Sequence, residues 1–299
     1  MKKLRMLAGI LLIAAACNAQ TPGRIAKDRP ELIIRCDDIG MCHTVNMAAQ
    51  QLLQTGIPIS ASVMFVCPWY QEGVEILKAH PEIAVGVHLT LNAEWKNYRW
   101  GPIMGKGGVP SLVDSCGYFF PSRDLFFANR PKIEEVELEL RAQIERGLHS
   151  GLRIDYVDYH MGTAVSTPEL RALVEKLAGE YHLGISRYFG EVDAPSIYAV
   201  PPESKPDSLV AIVKRLEPGT RYLAVFHIGM ESPEMGALLD LNSFGLAQMS
   251  RHRQGELNAL SAPELRKAIQ AADIRLITYR QAIAETGLDR MQAPADNDY

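Results

Sequence analysis

Several signatures are missing from this 299-residue chain, and each absence removes a class of function. It has no long basic run, and its formal net charge is only −4, which argues against nucleic acid as a partner. No GxGxxG or Walker-type glycine pattern follows the first apolar run, so the usual signature of nucleotide binding is absent. The five cysteines form no CxxC pair with zinc-site spacing, and three of the four beyond Cys17 fall in or beside expected buried strands, where small core thiols are the default. No internal repeat is visible. The longest early apolar run, Met6–Ala16, is far too short to span a bilayer.

What is present at the N-terminus is the layout of an export signal. Lys2, Lys3 and Arg5 precede the apolar run, and small residues follow it. Ala14-Ala15-Ala16-Cys17 resembles a bacterial lipobox, which would make Cys17 a lipid acceptor and attach the mature protein to a membrane. Cleavage after Ala19 is the alternative. Residues 1–19 are therefore expected to be a signal, 20–30 a polar linker, 31–290 a single domain, and 291–299 a disordered tail. The expected location is outside the cytoplasm, either periplasmic or membrane-attached.

From Leu32 onward, strand-like and helix-like segments alternate about seven times, which implies a mainly parallel sheet. The expected fold class is α/β, a deformed, TIM-like (β/α) barrel of about seven parallel strands, with an open doubly wound sheet as the alternative. Two stretches break the rhythm. Residues 92–130 carry Trp95, Tyr98, Trp100, Tyr118, Phe119 and Phe120, and are expected to form a lid or a small subdomain. Residues 231–259 read as a second long loop, and 190–206 as a proline-rich connection.

Polar residues collect at the strand ends. The β-branched run Leu32-Ile33-Ile34 ends in Asp37 and Asp38, and adjacent strand residues point to opposite faces, so the two carboxylates should not share one task. His88, His160 and His227 fall at or near the ends of three other expected strands. In a parallel barrel all these ends open on one face. A carboxylate with two imidazoles leaves a divalent metal with open positions, as hydrolysis requires. Asp158, two residues before His160, is a candidate to orient a ligand from behind. His43 is read as a helix-start residue.

The segments Ile34–Gly40, Val85–Thr90, Val157–His160 and Ala224–Gly229 resemble, in order, the motifs of the YdjC-like carbohydrate deacetylases, which are similar in layout to the NodB-type polysaccharide deacetylases. The resemblance covers roughly residues 31–285. It implies a deformed barrel that removes acetyl groups from N-acetylated saccharides with one divalent metal, zinc or magnesium. It further implies Asp38, His88 and His160 as metal ligands, Asp37 as general base and His227 as general acid. Arg187 falls where related enzymes place an arginine that orients the base, on a short motif match, with an ordinary surface arginine as the other reading. Arg35-Cys36 and Ile39 depart from the family pattern around the aspartate pair, and Ile228 stands where proline is common. The competing functions are a metal-dependent O-deacetylase or phosphoesterase on the same barrel, or a non-catalytic glycan-binding surface lipoprotein.

Overall fold

A computed structural model describes residues 28–294. The expected signal, Cys17 and the last five residues lie outside that range. In chain order the elements are β1 (Glu31–Ile39), α1 (His43–Leu53), β2 (Ser60–Val63), α2 (Tyr70–Lys78), β3 (Ala84–Leu89), α3 (Gly105–Gly108), α4 (Arg123–Ala128), α5 (Ile133–Leu148), β4 (Ile154–Tyr159), α6 (Pro168–Glu180), β5 (Gly184–Ile185), β6 (Glu191–Asp193), α7 (Lys205–Val213), β7 (Arg221–Phe226), α8 (Pro233–Gly236), α9 (Met249–Ser261), α10 (Pro263–Ala271), β8 (Arg275–Ile277) and α11 (Tyr279–Thr286).

The strands form one sheet in the order β5-β4-β3-β2-β1-β7-β6, and every described pairing is parallel. That order follows the chain around a circle, with a break in the ladder between β5 and β6. Only a short turn separates those two edges, and side chains bridge it: Glu191 accepts from the backbone N–H groups of Arg187 and Phe189. β1 pairs with β8 through Glu31–Ile33 and with β2 through Arg35–Ile39, so β8 fills the space where β1 and β2 splay. The result is a curled, incompletely closed TIM-like barrel.

Alternation along β1 decides what faces where. Leu32, Ile34 and Cys36 join the large outer core beneath the helices, whereas Ile33 belongs to a small inner cluster with Ala84, Tyr156, Leu223 and Tyr279. Tyr156 fills the barrel centre and its hydroxyl pairs with Ser62 Oγ at 2.8 Å. A Cβ at Gly86 would sit 2.4 Å from that ring, so glycine is needed opposite it.

Two segments differ from the sequence expectation. The proline-rich connection contains β6, whose three residues are too few to show a period. The second long loop contains α9, a 13-residue helix. Its buried face includes Ser250, Arg253 and Glu256, so apolar periodicity could not reveal it. The 92–130 insertion is a packed subdomain: Trp95, Trp100, Phe119 and Phe126 are buried, and Glu139 of α5 pins it by accepting from Ile103 N and Met104 N, each at 3.0 Å.

Candidate active site

Because the strands are parallel, β1, β3, β4 and β7 deliver Asp37, Asp38, His88, His160 and His227 to one end of the barrel. The ladder slips between Cys36 and Ile39, and Asp38 takes a left-handed φ of +64°, a conformation aspartate tolerates better than most residues. This bulge turns the neighbouring carboxylates into different surroundings. Gly40 follows with φ +86°, and a Cβ there would meet Tyr70 Cα at 2.7 Å.

Each aspartate has its own arginine. Arg35, on the same face of β1 as Asp37, donates Nε to Oδ1 and an Nη to Oδ2, both at 2.7 Å. The same guanidinium donates to Ser186 Oγ at 2.6 Å and lies 3.0 Å from Asp158 Oδ2. Asp38 Oδ2 accepts from Arg253 of α9 at 2.7 Å. Burial works against both negative charges, but the arginines outweigh it and hold both carboxyls below the usual range.

Asp38 Oδ1 is buried and has no hydrogen-bond partner. It lies 3.4 Å from His88 Nε2 and 3.3 Å from His160 Nδ1, and the three groups offer ligand atoms within 4.8 Å of one another. The far side of each imidazole is tied to a carboxylate: His88 Nδ1 to Asp158 at 3.1 Å, His160 Nε2 to Glu94 at 2.9 Å. This arrangement of an orphaned carboxylate oxygen, two imidazole nitrogens and backing carboxylates fits a divalent cation.

Burial opposes charge on His88, but Asp158 and Asp37 overcome it and push its pKa up to about 10; Glu94 and Asp38 likewise push His160 up to about 9. Cation and protons then compete for the same nitrogens. Uptake of Zn²⁺ by the metal-free protein is expected to release about two protons at pH 7 and progressively fewer as pH rises through 9 and 10. Calorimetry in buffers of different ionisation enthalpy reads this directly, and no release at pH 7 would contradict it. Charged imidazoles stabilise the metal-free fold fully below about pH 6.5, and that contribution fades as pH rises through 9 and 10.

The site opens into a cleft of about 370 Å³ whose lining includes Asp38, His160, His227, Trp95, Phe244 and Arg253. His227 is half-buried, packs edge-on against Tyr198 at 5.6 Å, and donates its backbone N–H to Glu256 at 2.6 Å.

The family model described as "YdjC-like protein" matches residues 31–271. The chain belongs to the YdjC-like family. A Brevibacillus brevis protein named carbohydrate deacetylase is 30% identical over 262 residues, covering 84% of this chain and 99% of its own. A Thermus thermophilus protein of the same name is 31% identical over 276 residues, covering 84% and 93%. A crystal structure from Enterococcus faecalis V583, provisionally described as a cellobiose-phosphate cleavage protein, matches with a TM-score of 0.70 at 25% identity, covering 85% of this chain and 98% of that one.

Within this YdjC-like site, the residues expected from the strand-end motifs converge, and Asp158 does contact His88. Arg187 does not take the place expected for it. It is held by Asp193, 2.9 Å from an Nη, while Asp37 receives its guanidinium from Arg35. β6, which carries Asp193, was invisible in the sequence, so the counter-charge that captures Arg187 was too. His43 opens α1 and pairs with Glu72 at 2.8 Å. Glu94 and Arg253 were missed outright. Neither sits in a periodic segment, and Arg253 is 215 residues from its partner.

Proposed function

We propose that this YdjC-like hydrolase, a carbohydrate deacetylase by its family, removes acetyl groups from N-acetylated saccharides with one divalent cation held by Asp38, His88 and His160. The observation that carries the reading is the buried Oδ1 of Asp38, without a hydrogen bond and facing two carboxylate-backed imidazoles. Two nitrogens and one carboxylate oxygen favour zinc over magnesium, which prefers oxygen ligands and retained waters.

An amide carbonyl is a weak electrophile and an amine a poor leaving group, so both ends of the scissile bond need help. A bound cation supplies Lewis acidity at the acyl oxygen and lowers the pKa of nearby water. Asp37, ionised and held in one orientation by Arg35, takes the attacking water's proton. His227, in the same cleft, is the group placed to deliver a proton to the departing sugar nitrogen. That second proton carrier favours an amide over an acetate ester, whose oxygen leaves more readily. A phosphoesterase would want several unengaged basic groups, whereas Asp38, Glu94 and Asp240 also line this cleft.

Sugar contact falls to an aromatic outside the 92–130 insertion. The aromatics of the 92–130 insertion are mostly consumed in its own core, whereas Phe244 is 66% exposed at the cleft. An exposed ring there is suited to the apolar face of a pyranose. Phe244→Ala is expected to raise KM for an oligosaccharide by about tenfold with kcat little changed, on the order of one lost stacking contact. An unchanged KM would remove Phe244 from the substrate site.

The N-terminal pattern adds that the enzyme is exported and meets its saccharide outside the cytoplasm, with Cys17 lipidated or the chain cut after Ala19. The mass of the mature N-terminal peptide separates those two. The reaction itself is tested by following acetate and free primary amine together from N-acetylated and O-acetylated oligosaccharides. Matched release of both supports the reading. Acetate without amine would make the enzyme an O-deacetylase.

A further inference from the structure

The buried arginines differ in how fully they are used. All three guanidinium nitrogens of Arg35 are bonded, and so are those of Arg221, which binds Glu31, Phe189 O and Glu285. Arg253 is different. It is 4% exposed, yet the sole described hydrogen bond of its guanidinium goes to Asp38 Oδ2, while Nε and one Nη are buried without a partner. The group lies 5.7 Å from the centroid of the Trp95 ring, and both residues line the cleft. Unsatisfied buried donors are unfavourable, so hydrogen bonding alone does not explain an arginine here.

Its charge does. By occupying Oδ2, Arg253 leaves Asp38 a single free oxygen, Oδ1, to offer a cation. A bidentate carboxylate would fill an extra coordination position that water or substrate needs. The guanidinium also places a full positive charge one carboxylate away from the cation site. That charge repels the cation, and it draws electron density from the ligand it holds. It equally favours negative charge building on the acyl oxygen during attack, because the Arg253–Asp38 pair is itself buried and poorly screened.

We propose that Arg253 is a positioning residue that restricts Asp38 to one-point ligation and sets the cation site for electrophilic strength at the expense of affinity. This rests on the function proposed above. It predicts a pattern that simple support of Asp38 would not produce: removing the charge strengthens metal binding and weakens catalysis. A supporting role predicts that both decline together.

The test compares wild type, Arg253→Met and Arg253→Lys, with Arg253→Gln as a second neutral variant should the methionine form not fold. Zn²⁺ affinity is measured by competition with a chelating dye, and kcat and KM are measured on an N-acetylated oligosaccharide. The neutral variants should bind Zn²⁺ at least about tenfold more tightly, while kcat falls at least about tenfold with KM within about threefold. Lysine, which retains the charge and one donor, should keep both values close to wild type. Zn²⁺ affinity equal to or weaker than wild type in the neutral variants would overturn the proposal, as would kcat within threefold of wild type. Failure of the wild type to release acetate would instead strike the proposed function, and the affinity comparison would still decide what Arg253 does at Asp38.

Discussion

Asp37→Asn is expected to lower kcat by a factor of roughly 10³, within the range a positioned general base contributes, while the protein still binds one equivalent of metal. The substitution keeps the side chain's size and one acceptor for Arg35, but removes the group that takes the water's proton. Arg35 then makes a graded comparison. It bonds both oxygens of Asp37 and lies against Asp158, which in turn backs His88. Arg35→Met should therefore reduce kcat and disturb metal binding as well, because one side chain serves both halves of the site. Steady-state kinetics and metal analysis on the same preparations check both. Turnover by Asp37→Asn within tenfold of wild type would remove Asp37 from the proton-transfer role.

The other large effect is expected at Asp38. Asp38→Ala removes the one anionic ligand and leaves the buried Arg253 guanidinium with no described hydrogen-bond partner, in place of a charge pair. Metal binding should fall below detection by calorimetry, and acetate release with it. Breaking a buried pair by deleting one partner also destabilises the fold, typically by about 3–5 kcal/mol. Asp38→Asn separates the two effects, since the amide can still accept from Arg253 but is a poor metal ligand. Retained stability with lost metal is the expected result for asparagine, read by thermal melts beside metal titration. Full metal occupancy in either variant would contradict the ligand assignment.

The parts of the site legible in the sequence share one property: they sit where a strand expected from the sequence ends. Asp37, Asp38, His88, His160 and His227 each lie at or just past the end of such a strand, and parallel strands bring those ends together without further information. Asp158 was legible for the same reason, lying two residues before His160. What stayed hidden arrives from elsewhere in the fold. Glu94 belongs to an insertion with no period, and Arg253 to a helix that buries polar residues, so neither carried a pattern to read. Arg35 was visible as a departure from the family motif, but its task was not, because the bidentate contact depends on Asp37 sharing its strand face. Arg187 shows the opposite case. Its position in the chain matched an expected arginine, and a three-residue strand supplied Asp193 to occupy it.

The barrel followed the same logic. Long, buried strands such as β1, β3, β4 and β7 announce themselves by composition. β6 does not, because it is short and partly exposed and is held by pairing with β7 rather than by its own apolar pattern.

The most direct test of the central claim is metal reconstitution of the stripped enzyme against acetate release. The protein is freed of metal with a chelator and titrated with Zn²⁺ while acetate release from an N-acetylated oligosaccharide is followed. Turnover should be absent at the start, rise in proportion to added metal, and level off at one equivalent per chain. Undiminished turnover by verified metal-free protein would contradict the account, as would a chain that takes up no metal at all.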